Sequence, residues 1–443
     1  MSTDIDGFPR DDLRWLVGVE DTCVYPAPGH QMGPLNEFEL TGHDRHWRDD
    51  AVAAVALGAS GLRYGVEWPL VHLAPGVFDW ERLDERLPVL AGELGLTVIA
   101  DLVHYGTPTW LDDSFADPRF PEALAEFAGA FAARYRGLVN HVTPLNEPLT
   151  TASFCGLRGV WPPALTGWRG WTEVVLGIAS GVQRSIAAVL ASNPDGVIVH
   201  VEASAIYETD DPELREEAEL LRSLATLPTD LILGRVDEHH DAHDWLVVHG
   251  ASVEQLARLR SAAVTIHLMG VNYYPDLTPR ILERADGGVR QVTANRWSGG
   301  LRAVLREWAG RYGMPILVTE TSIEGTEEVR RDWLESATAT VRDLHAEGVD
   351  VRGLTWWPLL DFVDWSFASG GRNVEEFVLH PETATDATQE TYADVDAGIT
   401  PFLRRMGLIG ITETEDGSLT RTLTAAAAGF PCGEDAIEKG RGR

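Results

Sequence analysis

Short apolar runs alternate along the chain with longer segments in which apolar residues recur every three or four positions. The short runs are rich in β-branched and aromatic residues, and their length and composition predict buried strands. Eight such predicted strands cover residues 15–20, 61–68, 97–104, 140–147, 197–202, 265–274, 315–320 and 351–357.

The longer segments predict helices with one apolar face. In the last of them, Val329, Trp333, Ala337 and Val341 lie three or four positions apart and share a face. The predicted helices cover residues 45–57, 82–94, 121–135, 171–190, 213–224, 253–263, 301–311 and 327–347.

This regular alternation favours an α/β fold, a single-domain (β/α)8 TIM barrel with right-handed crossovers. An open doubly wound sheet is the alternative, but no glycine-rich phosphate-binding motif follows the first strand. We expect the barrel to occupy residues 1–410 and residues 411–443 to form a polar, loosely held C-terminal tail. The long connections 25–42, 275–297 and 361–396 are predicted to form lids or pocket walls.

The charge balance narrows the classes of partner. The chain has 68 Asp and Glu against 36 Lys and Arg, a formal net charge of −32. Nucleic acids and anionic lipids bind clustered Lys and Arg, so neither is an expected partner. We see no secretory leader and no apolar run of roughly 18 residues, and we therefore expect no membrane span. Cys23, Cys155 and Cys432 form no CxxC pair, which predicts free thiols in a reducing cytoplasm.

Two predicted strands end in a glutamate. Glu147 ends the fourth strand and Glu320 ends the seventh. The C-terminal ends of barrel strands meet at one face, where the active sites of such barrels lie. Each Glu alone could be a helix cap or an ion-pair partner. Together they match the catalytic pair of a glycosidase, in which one carboxyl protonates the leaving oxygen and the other attacks the anomeric carbon or activates water.

The segments around these glutamates resemble glycoside hydrolase family 1, the β-glucosidase and β-galactosidase family of clan A. Six motifs in the family's order span roughly residues 13–366. The clearest matches are Arg63 and Trp68, His104-Tyr105-Gly106-Thr107-Pro108, Leu145-Asn146-Glu147-Pro148, Gly270-Val271-Asn272-Tyr273-Tyr274, Val318-Thr319-Glu320 and Trp357-Pro358-Leu359-Leu360-Asp361 through Asp364-Trp365.

The resemblance implies a retaining hydrolase that cleaves a terminal β-linked sugar, with Glu147 as acid/base and Glu320 as nucleophile. The expected substrate is a small-molecule glycoside, and we expect no cofactor and no metal ion. The substrate-binding residues that the resemblance implies are Glu20, Arg63, His104, Asn146, Asn272, Tyr274, Trp357, Asp364 and Trp365.

Three departures from the family motifs indicate a divergent branch. The first-strand Gln-x-Glu is replaced by Gly18-Val19-Glu20-Asp21, the eighth-strand Glu by Asp364, and Thr-Glu-Asn-Gly by Thr319-Glu320-Thr321-Ser322. These changes affect sugar recognition and leave both glutamates in place. A transglycosidase, another clan A hydrolase acting on an oligosaccharide, and a catalytically silent sugar-binding barrel stay open as alternatives. The sugar and the oligomeric state, monomer or homo-oligomer, are left undetermined.

One further segment has the composition of a metal site. Residues 237–244 read Asp-Glu-His-His-Asp-Ala-His-Asp. No second cluster of ligand-type residues accompanies this run, and it lies in a predicted helix-flanking loop. We interpret it as a solvated surface turn.

Overall fold

The computed structural model of the protein describes residues 4–285, 287–372, 377–379, 384–386, 395 and 398–431. Eight parallel strands, here named β1–β8 in chain order, close into a barrel in which each strand pairs with its sequence neighbours and β1 pairs with β8. The predicted (β/α)8 barrel is confirmed. The strands are β1 Arg14–Gly18, β2 Gly61–Gly65, β3 Thr97–Asp101, β4 His141–Thr143, β5 Val197–Ala203, β6 Leu268–Asn272, β7 Ile316–Thr321 and β8 Val351–Trp356.

Apolar side chains on both faces of the strands explain why these runs contain few polar residues. A small cluster that includes Leu16, Ile99, Val199, Leu268 and Leu317 is packed separately from the large cluster between strands and helices. This separation is expected when alternate strand residues fill the barrel interior and the others face the surrounding helices.

The helices surround the barrel, and each of the eight predicted helices corresponds to one of them. They are α1 Glu37–Leu40, α2 His43–Leu57, α3 Trp68–Val71, α4 Glu81–Leu87, α5 Phe120–Arg134, α6 Pro148–Ala152, α7 Gly167–Ser192, α8 Arg215–Ile232, α9 His243–Val248, α10 Val253–Ser261, α11 Trp297–Tyr312 and α12 Glu327–Ala346. Shorter π and 3-10 segments cover Pro88–Glu93, Ser114–Ala116, Ser153–Leu157, Pro212–Leu214, Thr400–Phe402 and Ala425–Gly429.

Helix α7 bears on the expectation that the chain has no membrane span. By length and composition alone this 26-residue helix could cross a bilayer, but 61% of its most apolar window is buried inside the protein. It packs against α5 and α8. Burial between neighbouring helices explains its apolar composition.

The long connection 275–297, predicted as a pocket wall, contains two strands of a second sheet. That sheet lies outside the barrel and joins segments that follow different barrel strands. In sheet order its strands are Ile206–Glu208, Pro279–Ala285, Gly288–Thr293, Phe377–Leu379 and Ala384–Asp386. Three further short pairs are Cys23–Val24 with Leu35–Asn36, His72–Ala74 with Val77–Phe78, and Phe362–Val363 with Leu403–Arg404.

The C-terminal segment up to residue 431 is packed against the barrel. Ile409–Glu413 and Leu419–Leu423 form an antiparallel hairpin in which Ile411 is 0% exposed. Arg421 donates hydrogen bonds to the buried carboxylate of Asp50 in α2. The interpretation of a loosely held tail is therefore wrong for residues 411–431, because an alternating strand pattern and a buried ion pair hold them. The boundary at residue 410 stays a prediction, and Cys432 and residues 433–443 lie outside the described residues.

Candidate active site

A cavity opens at the C-terminal ends of the barrel strands and encloses about 1490 Å³, including space open to solvent. It brings together residues from the motifs at the first, third, fourth, sixth, seventh and eighth strands. The predicted site residues in its wall are Glu20, His104, Glu147, Asn272, Tyr274, Glu320, Trp357 and Trp365. Arg63, Asn146 and Asp364 are not part of the wall.

Glu320 lies at the end of β7, and its side chain is held from two sides. Tyr274 donates a hydrogen bond to Oε2 at 2.6 Å, and Arg63 donates one to Oε1. Glu320 is only 4% exposed, and this burial raises its pKa to about 8, with Arg63 lowering it and the charge of Glu147 raising it. The carboxyl is thus oriented by two donors, and it releases its proton more reluctantly than a solvated glutamate does.

Glu147 follows β4 at the start of α6, in a backbone conformation that is rare for a residue with a side chain. Its φ of 42° lies in the left-handed region, where strain concentrates at functional sites. Asn272 Nδ2 donates to Oε1 at 2.7 Å, and the Tyr105 hydroxyl donates to Oε2 at 2.7 Å. Thr319 fixes the Asn272 amide by donating to its Oδ1 at 2.7 Å. Each oxygen of Glu147 therefore has its own donor.

Tyr105 is a site residue that sequence reasoning missed. The motif around His104 has an aromatic residue at this position, to which the sequence analysis assigned no role. Its ring does pack, with Trp161 at 4.7 Å between centroids, but its hydroxyl reaches Glu147. Burial and the charge of Glu147 raise the pKa of Tyr105 well above its usual value, so the phenol keeps its proton. The sequence did contain one indication of this role, because the aromatic residue of the motif is a tyrosine, whose hydroxyl can donate a hydrogen bond.

Arg63 lies beneath the cavity at the centre of a buried polar network. Its side chain is 0% exposed, and besides Glu320 it donates to Asp101 and, at 2.7 Å, to Asn146 Oδ1. Asn146 is also fully buried and contacts His104 Nε2 at 3.2 Å. In this structure Arg63 and Asn146 therefore act on the groups that line the cavity, and their predicted direct contact with the sugar stays a prediction.

His104 is clamped between two acids that sequence reasoning did not single out. Its Nδ1 lies 2.7 Å from Asp21 Oδ1 and 3.0 Å from Asp101 Oδ2. Burial lowers its pKa, but the two carboxylates outweigh burial and raise it well above the usual value. Burial raises the pKa of Asp21 to about 7, against the effect of His104. His104 is accordingly a charged donor at the cavity wall near neutral pH.

The same three residues have the spacing of a metal-ligand group. Ligand-type atoms of Asp21, Asp101 and His104 all lie within 4.8 Å of one another. However, Asp101 also accepts a hydrogen bond from Arg63, and the positive charge of this guanidinium disfavours the binding of a metal cation beside Asp101. Within the residues described, we therefore interpret the group as an ion-pair network.

Glu20 and Trp357 form one side of the cavity. Trp357 Nε1 donates to Glu20 Oε2 at 2.9 Å, and the Trp357 ring stacks on His104 with an interplanar angle of 3°. Gly18 makes this arrangement possible, since a Cβ there would lie 1.9 Å from Trp357 Cε3. The flat indole and the Glu20 carboxylate suit the C–H face and the hydroxyls of a sugar.

Asp364 does not line the cavity. Its carboxylate accepts a hydrogen bond from the Ser366 amide at 2.8 Å and lies 3.7 Å from Arg404 Nη1. Arg404, which the motifs did not indicate, lines the cavity instead. Direct contact between Asp364 and a substrate stays a prediction.

The acidic, histidine-rich run 237–244 lies away from this cavity and is engaged in local contacts. His240 Nε2 is 3.5 Å from Asp230, and Glu238 pairs with Arg260 at 3.3 Å. The Asp237 side chain accepts a hydrogen bond from the amide of His239 at 3.0 Å.

Comparisons with known proteins show which enzymes the chain is similar to. No family model matches the chain. The thermostable beta-glucosidase B of Thermobispora bispora is 25% identical over 419 residues, which cover 84% of this chain and 82% of that protein. A beta-galactosidase of Sulfolobus acidocaldarius is also 25% identical, over 394 residues that cover 79% of this chain and 73% of that protein.

Solved structures share the fold across the whole chain. A family 1 β-glucosidase from Thermotoga maritima superposes with a TM-score of 0.76 and 16% identity, covering 98% of this chain and 99% of that one. The same enzyme in complex with glucoimidazole gives a TM-score of 0.76, again at 16% identity, with 99% and 100% of the two chains covered. At this identity the likeness establishes the fold, and the sequence relatives supply the functional class. Together they make the chain a divergent relative of the β-glucosidases and β-galactosidases of glycoside hydrolase family 1, and thus a glycosidase that hydrolyses O-glycosyl bonds.

Proposed function

We propose that this protein is a retaining exo-glycosidase that cleaves a terminal β-linked sugar through a covalent glycosyl-enzyme intermediate. Glu320 is the nucleophile and Glu147 is the acid/base. The observation that carries the proposal is the contrast between two buried carboxyls in one cavity. Glu320 is held by Arg63 and Tyr274, whereas Glu147 is held by the neutral donors Asn272 and Tyr105.

This contrast suits two different roles. A nucleophile must attack as a carboxylate, and the Arg63 cation favours that form of Glu320. An acid must carry a proton before the first step, and no cation contacts Glu147 in the hydrogen bonds that hold it. In the first step, a Glu320 oxygen bonds to the anomeric carbon while the bond to the aglycone oxygen breaks and that oxygen takes the proton of Glu147. In the second step, Glu147 accepts a proton from water, and this water displaces Glu320.

The substrate class that fits is a small β-glycoside whose sugar is neutral. Glu20, His104, Asn272 and Trp357 present polar groups and an indole face to the sugar position. The relatives named beta-glucosidase and beta-galactosidase make glucosides and galactosides the first sugars to test. For a retaining enzyme the two catalytic carboxyls are expected to lie about 5 to 5.5 Å apart, and a separation well above 6.5 Å would contradict the proposal.

The proposal is tested by removing the nucleophile and replacing it with azide. Glu320→Gly should lose turnover of an aryl β-glycoside by a factor on the order of 10⁴ or more, and azide should restore release of the phenol with an α-glycosyl azide as product. Glu67→Gln is the matched control, since Glu67 is another buried glutamate just after a barrel strand but does not line the cavity.

The result that would overturn the assignment is a Glu320→Gly variant that keeps its activity without azide. Wild-type protein that binds the sugar saturably but releases no phenol from any aryl glycoside would instead support the silent sugar-binding barrel. Transfer of the sugar to an added alcohol in preference to water would support the transglycosidase alternative.

A further inference from the structure

Part of the wall of the cavity that holds Glu147 and Glu320 is apolar, and we call this part the arm. Leu149, Phe154 and Leu157 follow Glu147 along the chain, and Trp171, Leu221 and Leu224 approach from α7 and α8. Leu149 is only two residues from the proposed acid, so the arm begins on the side where the leaving group is protonated. The arm is therefore positioned to hold the aglycone.

Three arginines line the cavity, and two of them are engaged by the protein itself. Arg404 contacts Glu324 at 2.9 Å and Asp364 at 3.7 Å. The guanidinium of Arg158 lies 4.3 Å from the centroid of the Phe154 ring. Arg280 is different: among the described residues, its side chain has no hydrogen-bond or ion-pair partner.

Arg280 reaches the arm from the second sheet. It lies on the strand Pro279–Ala285, directly opposite Tyr207 on the neighbouring strand, and both residues line the cavity. Burial raises the pKa of Tyr207, and the nearby positive charge of Arg280 partly offsets this effect. Arg280 is partly withdrawn from solvent in the cavity wall, where a cation gains from an anionic partner.

We propose that the arm binds an apolar aglycone that carries a carboxylate, and that this carboxylate pairs with Arg280. This inference rests on the proposed glycosidase function and specifies its substrate. The long-range field of the protein does not favour such a ligand, because the net charge is −32. A preference for an anionic aglycone must therefore come from the local pairing with Arg280. Replacing the Arg280 side chain should abolish this preference.

The test compares two aryl β-glycosides that differ only in charge at the far end of the aglycone. One is a 4-nitrophenyl glycoside with a carboxymethyl group on the ring, and the other has a carbamoylmethyl group, with the methylene insulating the phenol from the substituent. For the wild type we expect kcat/KM for the carboxylate to exceed that for the amide by about tenfold. Arg280→Gln should bring this ratio to about one and leave turnover of the amide within a few-fold.

Arg290→Gln is the control, because Arg290 lies on the adjacent strand but is exposed and does not line the cavity. This variant should keep the wild-type ratio. A wild-type ratio near one, or a ratio unchanged by Arg280→Gln, would overturn the inference while leaving the glycosidase function intact. If neither glycoside is hydrolysed, the proposed function fails, and calorimetric binding of the two glycosides to wild type and Arg280→Gln then decides the inference alone.

Discussion

At the scale of single residues, the site works through the donors that hold its two carboxyls. Tyr274 and Arg63 favour the ionised form of Glu320, while burial raises the pKa of this carboxyl to about 8. Tyr274 keeps its own proton, because burial and the charge of Glu320 raise its pKa well above the usual value. The ionisation of the nucleophile is therefore a balance between desolvation and two specific contacts.

This balance predicts a pH dependence. Because Glu320 must be ionised to attack, the acidic limb of the kcat/KM profile should rise with a midpoint near pH 8. Tyr274→Phe removes a hydrogen bond that stabilises the carboxylate and should move the acidic limb of the profile upward by about one pH unit, given about 1.5 kcal/mol for such a bond. Tyr207→Phe is the control, because Tyr207 lines the cavity without a hydrogen bond from its hydroxyl to either carboxyl. An unchanged acidic limb in Tyr274→Phe would contradict this account of Glu320.

Tyr105 is predicted to matter for the protonation of the leaving group. Its hydroxyl orients one oxygen of Glu147, so Tyr105→Phe should lower kcat about tenfold for a methyl glycoside, which needs an acid. A dinitrophenyl glycoside, whose leaving group needs no proton, should lose much less in its glycosylation step. Equal losses for both substrates would mean that Tyr105 has only a packing role.

At the scale of secondary-structure elements, the barrel could be predicted from the sequence because its strands and helices have clear periodic patterns. The second sheet could not be predicted from the sequence. Its strands Pro279–Ala285 and Gly288–Thr293 are partly exposed, and the strands at their outer edges come from other parts of the chain. The C-terminal hairpin was missed for a similar reason. In Leu419–Leu423 no residue is fully buried, and the contact that holds it, Arg421 with Asp50, joins residues far apart in the sequence.

The Arg421 contact gives a prediction about stability. Asp50 is 1% exposed and depends on Arg421 and His43 for its partners. Arg421→Gln leaves a buried carboxylate with one charged partner fewer, and should lower the free energy of unfolding by about 3 kcal/mol. Arg48→Gln, which breaks the exposed pair with Glu93, should cost less than about 1 kcal/mol. Denaturant unfolding of both variants measures the difference, and equal stabilities would show that the hairpin is not held by this pair.

The site illustrates the same limit of sequence reasoning. Short motifs indicated both glutamates and six further residues that line the cavity. Each of these motifs lies where a predicted barrel strand ends, which is where the active sites of such barrels lie. The motifs gave no role to Asp21, Asp101 or Arg404, whose importance lies in their ion pairs with His104, Arg63 and Asp364. Charge alone does not reveal such partners in a chain with 68 acidic residues.

At the scale of the whole molecule, buried acids link folding to pH. Burial raises the pKa of Asp21 to about 7 and of Glu320 to about 8, and it raises the pKa of Glu37 and Glu202 well above the usual value. In the unfolded chain these groups titrate near about 4. The folded protein therefore binds more protons, and the stability that these groups contribute is full below about pH 4 and is lost as pH rises through their raised pKa values.

This linkage predicts that the melting temperature falls between about pH 5 and pH 8. Glu37→Gln should reduce the slope of unfolding free energy against pH by up to about 1.4 kcal/mol per unit, because Glu37 no longer resists ionisation. Its side-chain oxygen can still accept the hydrogen bond from the Val363 amide. Glu81→Gln, at an exposed position, is the control and should leave the slope unchanged. A slope that is the same in Glu37→Gln and wild type would contradict the buried, proton-bearing state of Glu37.

The most direct test of the central claim is to trap the glycosyl-enzyme. The protein is incubated with a 2-deoxy-2-fluoro-β-glycoside that carries an activated leaving group, and is then digested for mass spectrometry. The fluorine slows both steps, and the activated leaving group keeps the first step fast enough for the intermediate to accumulate. The account predicts one added fluorosugar per chain, on the peptide that contains Glu320, with no label in Glu320→Gln. Full turnover of ordinary glycosides with no label on any peptide, or a label on a residue other than Glu320, would contradict it.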